Sequence, residues 1–360
     1  MARMSNSFRF IGDVVSKKDK GIHSLVKSSK EGSKWEGHKL EFGIGNEQKK
    51  STWVELLGGN HHTIYSFNIN KEKVEIPFEN RLDKEVVESI AGWKKLRVVN
   101  GDDVKEFIAE WDFVLALKDT IESLAEGERL EVSGSVQIDF HKGKTYKKYI
   151  PNFVRVIKDK DVKSKFSVDL ELYYTADAVD NAMDDEDRKI FINSYIKGYN
   201  SKDKTNYMIP NNVVINCSPL NNSDISDEKK AIFKKKANWM AKQFEVTEGW
   251  YKLGWETTLF KGSEGASFTE DDLTDFQKEQ IDFGMQTFED IAKQFSIRGA
   301  DKVEQRLQRV AKLFSEEGRE EIEEESVKFY TDGSNTETPT TTSVKQEAVI
   351  SDADIDGMFE

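Results

Sequence analysis

Residues 128–158 read ERLEVSGSVQIDFHKGKTYKKYIPNFVRVIK. Leu130, Val132, Val136, Ile138 and Phe140 alternate with small or polar residues up to the turn HKGK, and Tyr146 to Ile157 return as a second arm. Period-two alternation on both sides of a short glycine-containing turn predicts a long β-hairpin. Its tip, FHKGKTYKKY (140–149), crowds three aromatic rings, four lysines and a histidine into ten positions.

Strand signals continue outward from this hairpin. SFRFIGDVV (7–15) is a short alternating run, and HKLEFGIG (38–45) and STWVELLGG (51–59) form a second hairpin around the polar turn NEQKK. TIYSFNI (63–69) is a further strand candidate. RLDKEVVESIAGWKKL suggests a short helix with Leu82, Val86, Val87 and Ile90 at helical spacing, while WDFVLALKDTIESL suits strand or helix. Beyond residue 160 the layout repeats. KFSVDLELYYTA is a strand, RKIFINSYIKGYN and NYMIPNNVVINCS pair around NSKDKT, DEKKAIFKKKANWMAKQFE is a helix opened by Ser226, and WYKLGWETTLFKG is a strand. Two small β-barrels in tandem are therefore expected, over residues 1–160 and 161–268. Phe276, Ile281, Phe288, Ile291 and Phe295, and then Val303, Leu307, Val310 and Phe314, recur at helix-like intervals, so residues 269–330 are expected to be helical.

The whole chain of 360 residues has a formal net charge of −13, a sum that argues against a polyanionic partner only if it is evenly spread. It is not. Residues 1–160 hold 28 basic and 25 acidic residues, and residues 301–360 hold 7 against 16. A mildly basic body with an acidic end suggests a partner-binding domain carrying a tail. No run approaches the ~18–20 apolar residues of a membrane span, and MARMSNSFRF lacks the apolar core of a secretory signal, so a cytoplasmic location and no membrane partner are expected. One cysteine, Cys217, in the apolar stretch VVINCS, excludes an internal disulfide framework and reads as a core residue.

Strand-rich halves with interleaved aromatic and basic residues suit a binder of single-stranded nucleic acid. Bases stack on aromatic faces, about 1–3 kcal/mol each, while lysines follow the phosphates. Five places fit. Trp35 and Trp53 flank a hairpin containing Lys39; Trp93 precedes Lys94 and Lys95; Phe140, Tyr146 and Tyr149 accompany Lys142, Lys144, Lys147 and Lys148; Tyr195 and Tyr199 surround Lys197; and Lys234 to Lys236 approach Trp239 on a helix, where they read as its wet face. Each aromatic has a plain alternative as a core residue. Catalytic signals are thin. The five histidines lack zinc-ligand spacing, no phosphate-binding loop is present, and no cofactor is implied. Asp180, Asp184, Asp185, Glu186 and Asp187 form an acidic loop that a metal-dependent nuclease could use, although such loops are more often solvated. A third reading is a non-catalytic adaptor whose barrels bind protein.

Residues 331–360 hold one basic residue, Lys345, and are rich in Thr and Ser, a composition expected to be disordered. They end in SDADIDGMFE. Asp352, Asp354 and Asp356 alternate with Ala353, Ile355 and Gly357 before Met358 and Phe359, which reads as a docking peptide steered by charge and anchored by apolar side chains, or as a solubilising tail.

The strand-rich aromatic body, the Thr/Ser spacer and this terminal peptide together resemble the single-stranded DNA-binding proteins of bacteria and their phages. The resemblance implies a mostly β fold with helical additions, built from oligonucleotide-binding (OB) barrels. It also implies a non-catalytic role in DNA replication, recombination or repair, and an acidic tip (Asp352, Asp354, Ile355, Asp356, Met358 and Phe359) that recruits replication and recombination proteins and competes with DNA for the groove. Phe359 is penultimate here, and the body is about twice the size of a one-barrel bacterial protein, so the usual tetramer is not carried over. Size and tail favour a phage-encoded version.

Overall fold

Alternation in SFRFIGDVV buries Phe8 and Phe10 and produces strand β1 (Ser7–Val15) of the computed structural model. The structure describes residues 6–16, 21–29, 32–141, 144–183, 188–200, 205–221, 225–262, 273–288, 291, 302–311, 319–323 and 328–329. By its contacts the chain divides into two units, residues 1–259 with 305–339 and residues 260–304 with 340–360. Helix α4 lies in the second; the barrels belong to the first, apart from the last residues of one strand and the first of another.

Strands β2 (His23–Lys27), β3 (Glu36–Gly45) and β4 (Ser51–Gly59) form an antiparallel meander. The turn NEQKK closes β3 on β4 because Asn46 Oδ1 accepts the backbone N–H groups of Gln48 and Lys50, at 3.0 and 2.9 Å. An insertion follows: β5 (Thr63–Phe67), β6 (Lys73–Pro77), α1 (Lys84–Ser89), β7 (Leu96–Asn100) and β8 (Asp103–Phe107). Strands β5 and β6 form a two-stranded sheet of their own, over a small apolar cluster of Ile76, Ile90 and Ile108. Helix α2 (Glu110–Glu122) comes next, its Phe113, Val114 and Leu117 fully buried, and then the long hairpin β9 (Arg129–His141) and β10 (Lys144–Ile157).

The ladders fix the topology. Ser7 to Gly12 of β1 pair with β9, and Asp13 to Val15 pair with β3. β3 pairs with β4, β9 with β10, and β10 returns beside β4. The first barrel strand thus lies between the second and fourth, the third beside the fifth, with a helix between third and fourth: the Greek key of the OB fold. Gly12 marks the exchange of partners on β1. A Cβ there would stand 2.1 Å from the Gly45 carbonyl oxygen, so a side chain would wedge β1 away from β3. Across β1, β9 and β10, the buried Glu131 carboxylate is held by Arg9 at 2.6 Å and Arg155 at 2.7 Å.

The second barrel repeats the plan. Its first strand is β11 (Lys165–Tyr174), followed by β12 (Val179–Ala182), β13 (Lys189–Ile192), β14 (Tyr195–Asn200), β15 (Thr205–Pro210), β16 (Val213–Asn216), helix α3 (Asp227–Lys242) and β17 (Trp250–Gly262). β13 and β14 act as one broken second strand, and β15 and β16 as a broken third. β11 pairs with β14 and along its length with β17. Helix α4 (Asp275–Asp282) is opened by Thr274 in a capping box with Gln277. Strand β18 (Lys302–Val310) then supplies the fifth barrel strand, parallel to β16 through Val214 and Arg306, and β19 (Glu320–Ile322) pairs with the start of β17.

That fifth strand corrects the reading of 269–330 as helical throughout. Helix α4 is present, but 302–310 is strand, and the second barrel draws on residues well beyond 268. The helical spacing misled because β18 turns polar Gln305 inward with Leu307 and leaves Val303 exposed. Gln305 faces inward for a reason that joins the two barrels.

The joint has two parts. β1 hydrogen-bonds β11 on the edge opposite β9, from Ser7↔Asp169 to Ile11↔Lys165, so one sheet runs through both barrels. The β9–β10 hairpin also lies on the second barrel. A Cβ on Gly198 would stand 3.0 Å from the Ile138 carbonyl oxygen, which places β14 against β9. Beside this contact the Lys147 ammonium donates to Asn211 Oδ1 and, at 2.6 Å, to Gln305 Oε1. Gln305 Nε2 donates onward to Thr257 Oγ1 at 2.9 Å, and Thr257 to the Val168 carbonyl at 2.7 Å. A buried polar chain thus runs from β10 through β18 and β17 to β11.

Burial lowers the Lys147 pKa from the ordinary lysine value to about 8. Between that value and the unfolded one near 10.4, the unfolded chain binds more protons than the folded chain, so stability rises with pH across this window and is flat below it. Urea unfolding at pH 8 and pH 10 tests this. The stability of the wild type should gain on that of Lys147→Met as pH rises, and a constant difference between the two would refute it.

Candidate nucleic-acid interface

The alternation that buries Leu40, Phe42, Ile44, Val54 and Leu56 turns the intervening residues of β3 and β4 outward. In an OB barrel this face of the second and third strands, with the loops joining strands one to two and four to five, is where oligonucleotides lie. Here it pairs Lys39 with Leu57, Glu41 with Glu55 and Gly43 with Trp53. Trp53 is half-buried and stands opposite a residue with no side chain, and Leu57 is exposed. Trp35, also half-buried, lies on the backbone of Gly37 and Gly59; a Cβ on Gly59 would come within 2.6 Å of its Nε1. Trp35 and Trp53 therefore share the outer face of this hairpin.

Lys39 does not add a free cation to it. Its ammonium lies 3.1 Å from Glu55 and 3.6 Å from Glu41. Cations come instead from the connections. The β1–β3 connection carries exposed Lys27 and Lys34, with Lys17, Lys18, Lys20 and Lys30 in its sequence, and the β9–β10 tip holds four lysines in sequence, of which Lys147 turns inward.

That tip divides by register. Lys142 and the side chains of Phe140 and Lys144 lie outside the described residues. Tyr146 and Lys148 face outward, Tyr146 opposite Asp139 in the ladder and Lys148 3.3 Å from the Asp139 carboxylate. Lys147 and Tyr149 share the inward face. Tyr149 packs against Phe8 and Phe10 with ring centroids 5.2 and 4.8 Å apart, and burial pushes its phenol far above the ordinary range. Lys147 is committed to Asn211 and Gln305. These two residues serve the core and the joint, contrary to their reading as contact residues, because a period of two sends every second residue of an arm inward.

Trp93 is 60% exposed, on a single turn after α1, and its ring lies 5.3 Å from Phe67. The Lys94 ammonium stands 5.0 Å from the Trp93 centroid and 5.5 Å from that of Phe67. Among the described residues no carboxylate pairs with it. A cation over an exposed ring is worth about 0.5–1 kcal/mol, less than the ~1–3 kcal/mol of a stacked base, so an arriving nucleotide can displace it toward its own phosphate. Lys95 differs: it is spent on Glu106 at 2.7 Å, which Arg97 also holds at 2.8 Å, and these partners hold the Glu106 carboxyl below its usual range. The sequence reading missed Phe67 and its neighbour Tyr65, which is 74% exposed; their alternation in TIYSF was the available signal.

In the second barrel, Tyr195 packs between Trp250 and Phe329, at 5.3 and 5.6 Å, and burial raises its pKa; it is a core residue, not a stacking surface. Lys197 stands 4.7 Å over the buried Tyr173 ring, and Tyr199 is exposed. Lys234 to Lys236 form the exposed face of α3 as expected, together with Ile232 and Trp239.

Cys217 is buried in the core. His23 Nε2 and His38 Nδ1 meet at 3.0 Å, and burial together with the neighbouring His38 lowers the His23 pKa. Among the described residues no three metal-ligating side chains converge, and no helix is long and apolar enough to cross a membrane. The acidic loop 184–187 and the tail 331–360, including Asp352, Asp354, Ile355, Asp356, Met358 and Phe359, lie outside the described residues.

No family model and no curated protein matches the chain. Among solved structures it is similar to two crystal structures of the single-stranded DNA binding protein from Thermus aquaticus. One is of a deletion mutant that also carries a point substitution, at a TM-score of 0.31 and 8% identity over 72% of this chain and 89% of that one. The other is the wild type, at 0.30 and 7% over 72% and 87%.

Proposed function

We propose that the chain is a non-catalytic, largely sequence-independent single-stranded DNA-binding protein. The observation that carries this reading is the outer face of β3 and β4, where Trp35, Trp53 and Leu57 present ring and apolar surface, and the connections of this barrel are rich in lysine in sequence. Bases stack on the rings and phosphates take the loop lysines. The first barrel is the primary binding domain, and a net charge of −13 does not oppose it because the acid is concentrated toward the C-terminus.

A labelled oligo-dT should be shifted at low salt, and log K should fall linearly with log salt as phosphates release their counterions. Trp53→Ala should weaken binding by about 1–3 kcal/mol. No shift at low salt would sink the reading.

The tail completes the proposal. Its acidic tip occupies the basic groove in the absence of DNA and is released to recruit replication, recombination or repair proteins when DNA enters. Size and tail favour a phage-encoded protein working in a bacterial cytoplasm. Deleting residues 331–360 should tighten oligo-dT binding, most strongly at low salt; unchanged affinity in the truncated protein would count against groove competition.

A further inference from the structure

The insertion between β4 and α2 is built in two layers. One face of the β5–β6 ladder turns Ile64, Val74 and Ile76 onto Val86, Val87, Ile90 and Ile108, a closed apolar cluster. Among the described residues no apolar cluster covers the other face. It carries Tyr65 and Phe67 on β5, with Lys73 directly across from Phe67, and the Trp93 ring tilted 38° against that of Phe67. Tyr65 is 74% and Trp93 60% exposed, although the cluster behind them shows that this module can bury side chains.

Cations accompany the rings. Lys94 lies over both Phe67 and Trp93, while Lys73 and Lys71 are exposed at the β5–β6 end. The nearby acids are Glu75, opposite Tyr65, and Glu72, which accepts the Asn68 amide at 2.8 Å. Rings in a row with ammonium groups beside them match the faces and phosphates of an unstacked strand.

We infer that Tyr65, Phe67 and Trp93, with Lys94 and Lys73, form a second base-stacking subsite, on the insertion and separate from the β3–β4 face, that engages single-stranded DNA extending beyond the barrel. The inference rests on the proposed function. It adds that the footprint of the first barrel is lengthened by the insertion, so these residues act only on strands long enough to occupy both surfaces.

The test is a fluorescence-anisotropy titration of the full chain with oligo-dT of roughly 4 to 16 nucleotides, the range of site sizes of OB barrels. Wild type is compared with Trp53→Ala, with Tyr65→Ala/Trp93→Ala, and with Lys94→Gln. Both aromatics of the double variant are solvent-exposed, and circular dichroism checks that it folds. Trp53→Ala should weaken binding at every length. The double variant should match wild type on the shortest strands and lose about tenfold or more on the longest, and Lys94→Gln should reduce the salt slope by about 1 on long strands only. A double variant that binds like wild type at all lengths overturns the subsite and leaves the proposed function standing. Wild type that binds no length overturns both.

Discussion

Strand β1 is hydrogen-bonded into both barrels. Over nine residues it serves β9 and β11 on its two edges and then leaves them for β3. The change of partner happens at Gly12, where any side chain would strike the Gly45 backbone. Curling of the first barrel, continuity of the sheet into the second and the outward presentation of β3 and β4 all depend on that crossing. The apolar residues of β1 serve the same end: Phe8 and Phe10 meet Tyr149, and Phe10 meets Phe166 at the start of the second barrel. Hydrogen bonding and packing therefore specify the same arrangement, which is the consistency expected of a sequence that encodes one fold.

Much of the architecture was legible from period-two patterns. The β3–β4 and β9–β10 hairpins, β11, β17 and helix α3 stand where alternation and capping placed them. The stretch 111–124, which suited strand or helix, is helix as far as Glu122, because the barrel offers a surface on which Phe113, Val114 and Leu117 are buried together. Residues 302–310 were not legible, because their inward positions include a glutamine whose partners, Lys147 and Thr257, are distant in sequence.

The candidate site was legible in residue type more than in residue choice. Composition pointed to rings and lysines, and Trp35, Trp53, Trp93 and Lys94 lie on outer or exposed surface. Within a strand, though, type does not reveal direction. Tyr146 and Tyr149 look alike in the sequence, yet one faces out and the other fills the core. Lys39, Lys95 and Lys147 are cations already committed to partners, and only the fold brings those partners within reach.

The β1–β11 ladder bears on how such a protein can be taken apart. A fragment ending near residue 160 keeps every strand of the first barrel yet leaves one edge of β1 bare, with Phe8 and Phe10 alongside it. Naked edges of this kind recruit other chains and drive aggregation. The second barrel cut free has the same defect on β11 and also strands Gln305 and Asn211 without the ammonium they accept. A cut between the barrels therefore opens a bare strand edge on both of its products.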